Sequence, residues 1–168
     1  DVVYAKNGKS PVKLAGYHAL NSLRMEKGYL HWGHDIGVEE NPFEAGVGFC
    51  VNLNKKNPFL GQAALEEKKK SGLSKRKVNF ALSNNDLLIY HNEPIYFDGK
   101  IVGEISSGMY GFYLDKSLGM GYISNNDSYS IEEMMSHQKF EIEVAETKYS
   151  AEGSINCFYD PGREKILV

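Results

Sequence analysis

His31, His34 and Asp35 stand together in the stretch YLHWGHDIG. Imidazole nitrogens and a carboxylate are zinc ligands, so this is the first place where the chain could do chemistry. The i,i+3 spacing of the histidines falls in a glycine-punctuated loop, and no second cluster completes a set of four ligands. The loop therefore reads as structural or binding, and no metal ligand is assigned. Cys50 lies in an alternating apolar segment, where a free cysteine behaves as a small buried hydrophobe rather than as a nucleophile. There is no GxSxG, no P-loop and no GxGxxG. The glycine spacing of GMYGF at 108–112 is not followed by a helical pattern, which argues against a phosphate cradle. The basic run Lys68, Lys69, Lys70, Lys75, Arg76 and Lys77 could hold a polyanion. It lacks interleaved aromatics, and the expectation is a solvated helix end and strand start. Arg24 and Glu26 are two residues apart and so lie on different faces of a helix. They are not a mutual pair, and one is expected to reach across to the following loop.

The elements that must position these residues follow from periodicity. In LAGYHALNSLRMEK, residues 14–27, Leu14, Tyr17, Leu20 and Leu23 share one face at three-residue steps, and Gly28 is a stop signal. EAGVGFCVNL alternates, with Val47, Phe49, Val51 and Leu53 on one side, which predicts a half-buried strand. Gly46 and Gly48 there permit close approach by a ligand or another backbone. GQAALEEKKKS, residues 61–71, predicts a short helix ending near Gly72. From Lys75 the pattern switches to alternation, with Val78, Phe80 and Leu82 on one face. Asp98-Gly99 between IYF and KIVGEI is a hairpin signal. SLGMGYIS and KFEIEVAE read as further strands, and SIEE near residue 130 has capping-box spacing.

The expected boundary lies near residues 70–76, with an α+β part before it and a mostly antiparallel barrel or sandwich after it. The 168 residues amount to about one domain, and a chain of this length buries roughly 70% of its unfolded surface. Hydrophobic residues make up 42% and charged residues 24%, ordinary values that exclude a disordered tail, a collagen-like repeat and a coiled coil. A net charge of −3 gives no reason to expect nucleic acid, and no stretch is apolar enough for a membrane span. Cys50 and Cys157 form neither a disulfide framework nor a CxxC pattern, so a cytoplasmic location is expected. Lysine- and asparagine-rich usage hints at a bacterial source. The chain starts at Asp1 rather than Met and is expected to be part of something longer.

Several stretches, in order, resemble one family. They are SLRMEKGY at 22–29, HWGHDI at 31–36, PFEAGVGF at 42–49, FLGQAAL at 59–65, EPI at 93–95, GEISSG at 103–108, KSLGMGY at 116–122 and FYDP at 158–161. Together they resemble the aminomethyltransferase family, the T-protein of the glycine cleavage system and its relatives. Lys27 and His31-Trp32-Gly33 favour the folate-binding C-terminal region of the dimethylglycine and sarcosine dehydrogenases.

The resemblance implies an α+β fold. Residues 1–74 would be the C-terminal part of a folate-binding domain, and residues 75–168 a small antiparallel β-barrel. It implies a fragment of a tetrahydrofolate-dependent one-carbon transfer protein, in which an upstream FAD domain oxidises an N-methyl group to an iminium. The runners-up are part of a stand-alone aminomethyltransferase and a non-catalytic folate-binding or docking module. The implied partners are folate, the amine-derived iminium and the missing N-terminal part of the same protein. The family's catalytic aspartate and pterin-binding glutamate match nothing in this chain, so no catalytic residue is assigned and the chain alone is expected to transfer nothing. A folate-facing tryptophan of the family falls at Phe49. Its C-terminal folate-contacting tyrosine has no direct counterpart: Arg163 aligns without gaps, and Tyr159 is the nearest aromatic. The family's folate-contacting arginine falls at Leu20. A fold lacking its first half is expected to expose apolar surface, which a homo-oligomer or a neighbouring domain would cover.

Overall fold

Alternation along Lys75–Leu82 sends Val78, Phe80 and Leu82 to one side of a strand, and all three are fully buried there. A computed structural model describes residues 15–84, 86–165 and 167. Lys75–Leu82 is β1 of six antiparallel strands. The others are β2 (Pro94–Phe97), β3 (Lys100–Gly111), β4 (Lys116–Ser124), β5 (Phe140–Val144) and β6 (Thr147–Ser154). Their order is β1-β4-β3-β2-β5-β6, and the pairing of β1 with β6 closes the barrel. Its interior holds Val78, Phe80, Ile95, Phe97, Ile105, Ile123, Phe140 and Ile142. The Phe140 ring meets Phe80 and Phe97 edge-on, with centroids 5.4 and 5.1 Å apart, the favoured geometry for aromatic quadrupoles.

The Asp98-Gly99 turn joins β2 to β3 with both residues at positive φ, 49° and 80°, as a two-residue hairpin of the expected hand requires. Where β3 and β4 cross, Gly103 and Gly121 allow backbone contact. A Cβ on Gly103 would fall on the Tyr122 carbonyl, and one on Gly121 on the Glu104 carbonyl. Ser130 and Glu133 form the capping box of α3 (Ile131–His137), each side chain bonding the other's backbone N–H.

The segment before the barrel carries α1 (Tyr17–Lys27) and α2 (Gln62–Ser71). Gly28 ends α1 in the left-handed region at φ 68°, and the Gly28 and Tyr29 N–H groups bond the last carbonyls. Leu14, part of the expected apolar stripe, lies outside the described residues. The rest of that stripe is exposed: Tyr17 64%, Leu20 55% and Leu23 65%. The buried positions of α1 are instead Ser22, Met25, Glu26 and Lys27.

Three expectations are corrected. Cys50, expected as a small buried hydrophobe, is exposed. EAGVGFCVNL is not a strand. The Asn41 side chain accepts from the Phe43 and Glu44 N–H groups, Val47 N–H bonds Pro42 C=O, and Gly48–Cys50 is a single 3-10 turn. These local bonds occupy the donors that a strand ladder would need, and Phe49 is left 75% exposed. Nor is the whole basic run solvated, because Lys77 is buried at 6% exposure. Strand alternation places Lys77, Asn79 and Ala81 on the outer face of β1, which the N-terminal segment covers: Lys77 N–H donates to Glu44 C=O.

Candidate functional site

Four residues of α1 tie the helix to the β3–β4 hairpin, to the loop after α1 with β3, and to the segment after β6. Ser22 Oγ accepts from Phe112 N–H. Arg24 bonds Asp35 Oδ2 at 2.9 Å and Ser107 Oγ at 3.0 Å. Glu26 Oε1 accepts from Tyr113 and Leu114 N–H at 2.7 and 3.1 Å, holding the β3–β4 hairpin. Lys27 Nζ donates to Asp160 Oδ2 at 3.2 Å and to the Tyr159 and Asp160 carbonyls. As expected, Arg24 and Glu26 do not pair with each other, and Arg24 reaches the loop after the helix.

Asp35 is the centre of this web. Its carboxylate accepts from Arg24, from His31 N–H at 2.8 Å and from Ser106 Oγ at 2.6 Å. Its carbonyl accepts from Tyr122 OH at 2.7 Å, and burial pushes the Tyr122 phenol well above its usual range. His31, His34 and Asp35 therefore do not converge on one point. The His31 and His34 rings stack at 5.7 Å, with His91 6.3 Å beyond. Among the described residues no group of three potential ligands is placed to hold a metal ion.

Two concavities flank α1. The first, about 750 Å³, is lined by Tyr17, Leu20, Leu23, Tyr29, Tyr113 and Tyr159. Tyr159 packs edge-on against Tyr113 at 4.9 Å, with the Lys165 ammonium 5.1 Å from its ring. The second, about 540 Å³, lies between Gly28, Gly46, Phe49, Lys77, Cys157 and Arg163. Here the Arg163 guanidinium sits 5.7 Å over the Phe49 ring. Phe49 and Tyr159 thus line different hollows, and nothing brings the two rings together. Periodicity missed Lys77, whose ammonium makes a single hydrogen bond among the described residues, to Asn79 Oδ1 at 3.1 Å. Burial lowers its ammonium pKa to about 8, against the opposing pull of Asp35 and Cys157.

This barrel can be compared with known proteins. The family described as the glycine cleavage T-protein C-terminal barrel domain matches residues 75–160. The chain belongs to the glycine cleavage T-protein family. The companion GCVT N-terminal domain matches residues 1–55. Within the T-protein family the chain is 37% identical to a formaldehyde-forming 4-methylaminobutanoate oxidase of Paenarthrobacter nicotinovorans over 92% of its own length. It is 31% identical to the mitochondrial sarcosine dehydrogenase of Homo sapiens over 98%. In each case it spans 18% of the relative. The crystal structure of the glycine cleavage system aminomethyltransferase T from Bartonella henselae shares the T-protein fold, with a TM-score of 0.69 at 23% identity. That match covers 85% of this chain and 38% of that one.

Proposed function

We propose that this chain is the folate-binding C-terminal end of a demethylating flavoprotein, which hands a one-carbon unit from an amine-derived iminium to tetrahydrofolate. The observation that carries the reading is Phe49. Its ring is exposed, roofs the second hollow and has a guanidinium above it, an arrangement suited to a flat ring with a polar extension. Family membership and the two demethylating relatives support the same reading.

The chain's residues fit the folate in part. The second hollow offers an aromatic face and cations, which suit the aminobenzoyl-glutamate end. Among the described residues, no carboxylate for the reacting centre lines that hollow. Among the buried acids, Asp35, Glu26 and Glu44 are all tied up by internal N–H or O–H donors. In this reading tetrahydrofolate supplies the nucleophilic nitrogen. The chain's own residues position its tail, and proton handling and cation stabilisation belong to the rest of the protein. Tyr159 and the exposed Tyr17, Leu20 and Leu23 then form the surface against which the remainder of the folate domain lies. In this reading the two parts meet at residues 74/75, which the start of β1 at Lys75 supports.

Two outcomes test the reading. Phe49→Ala is expected to weaken tetrahydrofolate binding about tenfold in calorimetry. Because the ring is exposed, the same substitution is expected to change stability by less than about 0.5 kcal/mol. Unchanged affinity would sink the proposal. The 168-residue chain, mixed with tetrahydrofolate and a methylene donor, is expected to give no turnover above the uncatalysed rate. Turnover would show that it carries its own catalytic carboxylate.

A further inference from the structure

Lys77 is a buried cation without an ion pair among the described residues. A buried ammonium normally has a carboxylate partner and a filled set of acceptors, because desolvation is costly. Buried Lys27 and partly buried Arg24 obey this, pairing with Asp160 and Asp35. The Lys77 ammonium has no ion pair among the described residues and makes one hydrogen bond. The amide nitrogen of Asn79 is held by the Ser154, Ile155 and Asn156 carbonyls, at 3.3, 3.4 and 2.9 Å. That fixes the Asn79 oxygen toward the lysine. The remaining ammonium protons are free for an acceptor in the second hollow, whose wall includes Lys77. That hollow also carries Arg163 at Phe49, while its one other cation, Lys27, is already neutralised. A cavity with an unpaired cation inside and a second at its aromatic side lacks an anion.

We infer that Lys77 is the internal counter-ion for a ligand carboxylate that enters the second hollow past Phe49. Built on the folate reading, the inference names which residue takes the glutamate carboxylate of the pteroylglutamate. The groups facing Lys77 that bear on its protonation are Asp35 in the loop after α1, Cys157 after β6 and Arg76 on β1. None of them touches its ammonium. An arriving carboxylate stabilises the charged form. Binding near pH 8 therefore draws a proton from solution onto a lysine that is partly neutral when the hollow is empty.

The test uses the 168-residue chain and three probes: N-(4-aminobenzoyl)-L-glutamate, 4-aminobenzamide and glutarate. Calorimetry is run at pH 7 and near pH 8 in two buffers of different ionisation enthalpy. The aminobenzoylglutamate is expected to bind about tenfold or more tightly than the aminobenzamide. Lys77→Met is expected to erase that difference and Lys77→Arg to keep most of it. The wild-type chain is expected to take up a proton on binding near pH 8 and the methionine variant none, a readout that a merely structural lysine would not move. Lys77-dependent binding of glutarate alone would sustain the carboxylate site and show that the ring is dispensable. If Lys77→Met leaves the ratio between the ring probes unchanged, the counter-ion assignment is overturned. Tetrahydrofolate then decides the rest: wild-type binding of it leaves the folate reading standing, and its failure to bind removes that reading too.

Discussion

Asp35→Ala is expected to destabilise the fold by about 3–5 kcal/mol, the cost of removing one partner from a buried, hydrogen-bonded ion pair. The carboxylate collects an arginine, a backbone N–H and a serine hydroxyl from three separate stretches of chain. Its loss leaves the Arg24 guanidinium, only partly exposed, without its anion and the Ser106 hydroxyl with only the longer bond to Met120 C=O. Total stabilities of small domains are about 5–15 kcal/mol, so a third or more is at stake. Urea unfolding of the two chains measures it. The double-mutant cycle with Arg24→Met is expected to show strong coupling, because the two residues act as a unit. A loss below about 1 kcal/mol would mean that the web is decorative and α1 is held by Met25 and its apolar neighbours.

Lys77→Met is expected to act in the opposite direction. A pKa lowered from 10.5 to about 8 means that the folded chain binds the lysine proton more weakly than the unfolded chain does, a penalty of about 3 kcal/mol below pH 8. The sign follows from proton counts. Between pH 8 and 10.5 the unfolded lysine still carries its proton while the folded one has released it. The wild-type contribution to stability therefore rises with pH through that window and is flat below it. Methionine removes the penalty, so the gain over wild type is expected to be largest below pH 8 and to shrink by about 3 kcal/mol by pH 10.5. Thermal unfolding across pH 6–10 checks it, in the range where about 3 kcal/mol is easily resolved. A pH-independent difference would contradict the burial argument. A stabilising change that also removes carboxylate binding would be the trade expected of a strained functional group.

Elements with local chemical signatures were legible in the sequence, and those set by tertiary contact were not. Asp98-Gly99 announced its hairpin because both turn residues tolerate positive φ, and Ser130 with Glu133 announced α3. The β5–β6 turn gave no such signal. Ala145 and Glu146 occupy the same left-handed region at φ 49° and 64° without glycine or asparagine, so β6 went unread. The alternation of Val47, Phe49, Val51 and Leu53 is real, but Asn41-Pro42 starts a series of local turns that outcompetes a ladder. Of the candidate site, Phe49 was reached through family resemblance rather than through periodicity. Lys77 was hidden inside a charge run, since nothing local reveals that the outer face of β1 lies beneath another part of the chain.

The closure of β1 against β6 has a consequence for how this molecule can meet others. An open sheet offers a row of unpaired N–H and C=O groups at each side, a template on which a foreign strand can grow. Here the six described strands close into one ring, so none of them is an edge strand. Recognition by strand addition is closed to the barrel, and so is sheet-to-sheet fibre growth from the folded state. Contacts with other chains or domains must be made through side chains. The side-chain surface best suited to that is the tyrosine- and leucine-rich flank of α1, so variation in what this protein touches is expected to be written there.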